Sequence, residues 1–484
     1  MTVAVVAAAV ILCTMLGASI YGQRRAGAKG IEEWAIGGRH FGTIIFWFLN
    51  AGEIYTTFAV LGISGFAWSF GAPAFLALSS VSLSAIVGYW LTPRIWKAGS
   101  HGKLISQADF FHEYYKSRGL TLTVAVAGIA ALVVYVQIQI TALSLIITFA
   151  TGANIPAVIA APASASVMLA FVYVAGLRSA AFAAGVKDLL MLVLVVGLGI
   201  TIAHRVGATS LSDVFRLVQE RHPGIGVFPG TKPEAHYTTT WLITSSINIA
   251  FGTWIFPHMF QLCYSAGGIT IIRRNAIWQP LYSLSYFFII LLGFAALLAS
   301  VQPPGGDLNG ALLQLVSDRF PPWVFGLFAG TVCLLALVPG SVLLLTAGTI
   351  FSRNIVQPLY PRIDEKTALL ISRTSMIAFA GAAVLLTVGA NRSLVSIGLS
   401  AYAAIGMLAP GIYLVFLNRR VPSAAVMGGM AAGYVSLLMP TAARFWQQHA
   451  PEWDEGLIAL MVNVVVLSVI AVTSRFSLRK TQVA

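Results

Sequence analysis

The sequence predicts an all-α polytopic membrane protein with about thirteen transmembrane helices. Three observations carry this. Hydrophobic residues make up 58% of the 484, charged residues only 9%, and mean hydropathy is +0.85. Soluble domains run near about a quarter charged. Long apolar runs recur from end to end, each able to cross a hydrocarbon core about 30 Å thick at about 1.5 Å per helical residue. The runs are continuous rather than alternating, which argues against a β-barrel.

The runs fall at 2–21, 43–68, 71–93, 120–150, 157–176, 180–203, 238–263, 276–300, 323–350, 367–389, 395–417, 421–441 and 457–474. The first has no basic residues before it, and Arg24 and Arg25 follow it, so it reads as a retained helix rather than a signal peptide. The runs 157–176 and 180–203 nearly touch. Between 204 and 237, "SLSDVFRLVQERHPG" predicts a short amphipathic surface helix stopped by Pro223. "GMAAG" (429–433) offers a small-residue face for close helix packing.

The net charge of +13 is topological and does not point to nucleic acid. With the N-terminus outside, 20 of the 29 basic residues fall in inside loops and 7 in outside loops, the inside ones including Arg39, Arg94, Lys97, Arg273, Arg274, Arg419 and Arg420. The positive-inside rule then selects N-terminus outside and C-terminus cytoplasmic. Cys13, Cys263 and Cys333 all sit in apolar runs and suggest neither a disulfide nor a metal cluster. No Walker pattern appears, so no nucleotide is expected. No nucleophile–base constellation emerges, so the chain does not read as an enzyme, and no cofactor is implied.

One transporter domain spans 1–484. An extra N-terminal helix (1–24) precedes two sets of five helices, at 40–205 and 236–418, and C-terminal helices and a tail follow at 419–484. Because five is odd, the two sets start with opposite orientation. The first helix of each set carries a polar interruption, "LNAGEIYTT" in one and "SSINIAFGTWIFPH" in the other. Matching interruptions in two halves point to an inverted-repeat transporter.

Glu53 sits near the middle of its run, at a depth where a bare charge costs roughly 2.5–3.5 kcal/mol or more. Asn50, Thr56 and Thr57 lie at helical spacing from it, and Gly52 lets the helix open. The favoured reading is an ion, proton or substrate site; the other is a neutral carboxyl bonded to a neighbouring helix. The second interruption supplies Asn248, Gly252, Thr253, Pro257, His258 and Gln261. Pro257 removes a helical hydrogen bond, and His258 titrates near neutrality when unperturbed. Lys187 and Asp188, near the inside end of their run, read either as an interfacial salt bridge or as part of a cytoplasmic exit path.

From "WAIGGRHFG" (34–42) through "LVPGSVLLLTAGTIFSRNI" (337–355), the chain resembles the sodium:solute symporter family, which implies a LeuT-like 5+5 inverted-repeat fold. "IGGRHFGTIIFWFLNAGEIYT", "GLRSAAFAAGVKD", "FPHMF", "RRNAI" and the "LVP…FSRN" segment resemble its bacterial monocarboxylate permease subgroup, which imports small carboxylates such as lactate and pyruvate. That resemblance implies a secondary transporter of the inner membrane working by alternating access. A carboxylate substrate would sit at the start of the half-helix after the break, with Tyr55, Thr56 and Thr57 as donors. Tyr135, Gln137 and Gln139 either line the same cavity or make ordinary interhelical hydrogen bonds.

Family members that bind sodium usually carry two adjacent hydroxyl residues in the eighth core helix. Counting back from "FSRN", those positions are Val338 and Pro339, a degenerate sodium site. The resemblance places the carbonyl partners near Gly52 and Tyr55. The coupling ion is therefore H+ or Na+, with the proton favoured and Glu53 as its candidate carrier. The rival readings are a sodium symporter for an amino acid or sugar, and a membrane sensor without flux.

Overall fold

The computed structural model describes residues 13, 17 and 30–481, apart from 152–154, 233–235 and 390–392. The apolar run 2–21 thus lies almost wholly outside the described residues. Every regular element among the described residues is helical.

A short helix α1 (Ile31–Ile36) leads into α2 (Thr43–Gly52). The chain opens at residues 53–56 and resumes through a wide turn at Phe58–Gly62 into α3 (Ile63–Phe70). Then come α4 (Leu76–Gly102), a surface helix α5 (Gln107–Tyr115), α6 (Arg118–Thr151) and the long α7 (Ala157–Arg205). The two apolar parts of α7 are Ala157–Tyr173 and Ala180–Arg205. These are the two nearly touching runs of the sequence. The predicted amphipathic helix is α8 (Leu211–Arg221), capped at its start by the Ser210 side chain.

The second half begins with α9 (Thr239–Gly252), where the Thr238 hydroxyl accepts from the Trp241 N–H. A turn at Thr253–Ile255 and an extended Phe256 separate it from α10 (Pro257–Ser265). Pro257 has no N–H to give a continuing helix, so the break falls there. The remainder is α11 (Ile269–Ser283), α12 (Ser285–Leu298), α13 (Ala311–Arg319), α14 (Pro322–Ile350), α15 (Glu365–Gly389), α16 (Leu394–Gly406), α17 (Ala409–Phe416), α18 (Ser423–Leu438), α19 (Pro440–His449) and α20 (Glu455–Thr481).

Seven helices among the described residues are long and apolar enough to span a membrane, or nine if each of two bent pairs is one span. The count of about thirteen also includes 2–21, the two broken helices 43–70 and 239–265, and the short Ala157–Tyr173. Large apolar side chains such as Ile86, Val126, Val193 and Leu385 face outward. In a chain with this many apolar helices, outward apolar surface on this scale is a lipid-facing belt.

The core pillar is α14. Most of its length is buried, and it packs on α6, α7 and α15. The two broken helices are tied at one end, where Phe41 N–H donates to Ser265 O (3.2 Å) and Gly267 N–H to Phe41 O (3.0 Å). The "GMAAG" face serves packing: a Cβ on Gly429 would sit 2.8 Å from Asn463 O and 2.9 Å from Leu467 Cβ, both on α20. The two helices approach that closely because the side chain is missing.

Candidate functional site

The breaks in the two first helices lie side by side. Glu53, at the end of α2, is buried, and its Oε2 lies 3.9 Å from Nε2 of His258, in the first turn of α10. That is beyond hydrogen-bond reach. Glu53 Oε2, His258 Nδ1, Asn50 Oδ1 and Gln139 Nε2 are all buried with no hydrogen-bond partner. Most buried polar atoms are paired, so this group of orphans among the sequence candidates singles out the breaks as the candidate site.

The neighbours of the first break are equally polar. The Thr57 hydroxyl donates to Gln139 Oε1 (2.8 Å), and the Thr56 hydroxyl accepts from the Phe58 N–H (3.2 Å). Tyr55 packs edge-on against Tyr282, with ring centroids 4.0 Å apart, and also touches Tyr286. The His258 ring lies near Tyr135 and Phe256.

Beside the breaks is a small internal cavity. Its lining includes the hydroxyl-bearing residues Ser80 and Ser84 of α4, Tyr135 of α6, Thr253, Tyr286 of α12 and Tyr402 of α16. Ile54, Phe58, Leu76, Val81 and Ile249 supply apolar wall. Ser84 and Thr253 hydroxyls are hydrogen-bonded at 3.0 Å, which joins the two halves across the cavity.

The structure does not bring all the sequence candidates together. Gln137 turns away and donates to Leu386 O on α15 (3.1 Å). Gln261 donates to Ala35 O on α1 (2.6 Å) and holds that helix in place. Residues two apart on a helix do not share a face, so Gln137 could not follow both Tyr135 and Gln139 inward. Lys187 and Asp188 form an ion pair with each other. Both are fully buried at the first break, with Lys187 Nζ 2.9 Å from Gly52 O, 3.3 Å from Tyr55 O and 2.7 Å from Asp188 Oδ1. Val338 and Pro339 are buried in α14, with no side-chain hydroxyl at either position.

Sequence reasoning missed Ser80, Ser84, Tyr286 and Tyr402. A signal existed for the first two: in "LALSSVSLSAIVG" they stand four apart in an apolar run, hence on one helix face. The tyrosines carry no such mark.

Two broken helices, orphaned polar atoms at the breaks and a small amphipathic cavity between two helix sets define a secondary transporter. The chain belongs to the sodium:solute symporter family, whose model matches residues 34–433. It is a multi-pass, cation-coupled solute symporter and not an enzyme. It is 33% identical over 455 residues, 92% of each chain, to an uncharacterized symporter, YhjB, of Bacillus subtilis (strain 168). A monocarboxylate transport permease protein of Rhizobium johnstonii is 28% identical over 327 residues, 67% of this chain and 64% of that one. The LeuT-like fold is shared with a Na+-coupled sialic acid symporter (TM-score 0.78, 16% identity, 97% of each chain). A nucleobase-cation-symport-1 family transporter shares it too (TM-score 0.56, 15% identity, 92% of this chain and 96% of that one).

Proposed function

We propose that this symporter carries small monocarboxylates of the lactate or pyruvate kind into the cell across the inner membrane, coupled to protons and not to sodium. The observation that carries the coupling is the charge balance at the break. Glu53, Lys187 and Asp188 are all buried there, two acids against one base. Lys187 pairs with Asp188, which leaves Glu53 as the group without an ion-pair partner of its own, its Oε2 3.9 Å from His258 Nε2. A buried unpaired carboxylate is costly, and one proton restores neutrality. Val338 and Pro339, where sodium ligands are expected, offer no side-chain oxygen to a hard cation.

The substrate class rests on the monocarboxylate permease relative and on the cavity. Six hydroxyl-bearing side chains suit a carboxylate and an adjacent oxo or hydroxyl group. The apolar wall suits a methyl end. The free polar groups of an opened helix add further binding capacity.

Pyruvate uptake into proteoliposomes, with sodium and proton gradients imposed separately, tests this. Accumulation should follow an inward proton gradient in choline buffer. Uptake that requires sodium and saturates with it would overturn the coupling. Absence of any pyruvate or lactate counterflow would overturn the substrate class.

A further inference from the structure

The ammonium of Lys187 is the best-satisfied group at the break. An ammonium has three donors. Here three oxygens surround it: Gly52 O at 2.9 Å and Tyr55 O at 3.3 Å accept hydrogen bonds from it, and Asp188 Oδ1 lies 2.7 Å away as an ion pair. Two are backbone carbonyls from the opened segment of α2, and the third is a carboxylate from α7. Two carbonyls and a carboxylate form a seat for a small cation made only of hard oxygens. Lys187 fills that seat from within the chain, and it is fully buried there with its long aliphatic stem.

Two further observations belong to this seat. Both Asp188 carboxylate oxygens are buried without a hydrogen-bond partner, so Lys187 meets Oδ1 by charge alone and the seat has acceptor capacity left over. A Cβ on Gly52 would overlap Asp188 Oδ2 and stand 3.0 Å from Lys187 Nζ, so the pair presses directly on the α2 backbone.

We propose that Lys187 is a tethered cation: its ammonium occupies the seat formed by Gly52 O, Tyr55 O and the Asp188 carboxylate, and so shuts free sodium out of this transporter. This rests on the sodium-independent reading above and names the group responsible for it. A free cation must bind before the opened helix can close around it; a tethered one is always present. The proton on Glu53 is then left as the only ion that has to be taken up in each cycle.

The test is thermal unfolding of the purified full chain in sodium chloride against choline chloride at equal ionic strength. It uses wild type, Lys187→Ala and Lys187→Met. Wild type should melt at the same temperature in both salts. Lys187→Ala empties the seat, and should melt lower in choline but rise saturably with added sodium. Lys187→Met fills the space without charge, and should show no sodium effect. A sodium-specific rise in wild type would overturn the proposal, as would a folded Lys187→Ala protein indifferent to sodium. Should Lys187→Ala fail to fold in either salt, the double variant Lys187→Met/Asp188→Asn decides. A merely structural ion pair predicts near-normal pyruvate counterflow from it, whereas the tethered cation predicts folded protein with counterflow lost. The melting measurements need no substrate. Wild type that lacks pyruvate counterflow would sink the substrate reading alone, and the double variant's arm would then be read with whichever solute wild type exchanges.

Discussion

Glu53 and Gly52 are neighbours with different duties. Glu53 faces His258 across 3.9 Å and has one oxygen without a partner. Glu53→Gln mimics the protonated acid at nearly constant volume. Substrate-for-substrate exchange should survive, because exchange needs no net proton movement, while accumulation driven by a proton gradient should fall to background. Paired counterflow and uptake assays on that variant decide; uptake against a gradient at the wild-type level would remove Glu53 from the coupling. Gly52 has no room for a side chain beside Lys187 and Asp188. Gly52→Ala should therefore disturb the seat, with a loss of stability of about 1–3 kcal/mol, the range for overpacking a tight site. The fall in melting temperature measures it. Glu53 was legible in the sequence because an acid inside an apolar run has few bland explanations. The Lys187 contacts were not, because a side chain 132 or 135 residues away in sequence meets the break only through tertiary packing.

At the scale of elements, the ends of α4, α5 and α14 are locked together by Asp109. Its carboxylate accepts from the Ile105 and Ser106 N–H groups (3.0 and 3.2 Å), from Arg353 Nε (2.8 Å) and from Asn354 Nδ2 (2.7 Å). Ser106 completes the capping box by accepting from the Asp109 N–H (3.0 Å). Asp109→Ala should cost about 1.5–3 kcal/mol, since hydrogen bonds to a charged group are the stronger kind. Chemical or thermal unfolding reports it. A second element, α8, lies outside the spans. Hydrogen bonds from the Thr209 backbone N–H and then the Arg216 side chain hold the Asp213 carboxyl below its ordinary range. A depressed folded value means the contribution is present above the ordinary aspartate range and is lost as pH falls below it. Asp213→Ala at fixed neutral pH should speed amide hydrogen exchange in the first turn of α8, with pyruvate uptake unchanged. Both caps were readable as local patterns, "SQAD" and "SLSD". The partnership of Asp109 with Arg353 was not, because it spans 244 residues.

At the scale of the whole molecule, we propose the orientation from charge placement, 20 of 29 basic residues in the inner loops against 7 in the outer. A reporter fused after Ala484 should be cytoplasmic, and one inserted near Gly224, just after α8, should be external. Finding both on one side would overturn the N-out, C-in arrangement. The two helix sets meet through the breaks. Ser84 of the first set bonds Thr253 of the second, and Phe41 pairs with the stretch Ser265–Gly267. Alternating access requires the sets to rock against each other about such contacts.

By itself the sequence determined the membrane class, the helical architecture, the pair of interrupted helices and the family. These are written in composition, run length and local breaks: a span must satisfy its own backbone, and Gly, Pro and buried polar residues mark where it does not. Tertiary structure alone decided which polar residues meet. It sent Gln137 to Leu386 and Gln261 to Ala35, and brought Lys187 onto the carbonyls of Gly52 and Tyr55. The reason is rotational. Along a helix, the face a residue shows depends on its position in the turn and on which neighbour packs there, and only the first of these is written in the local sequence.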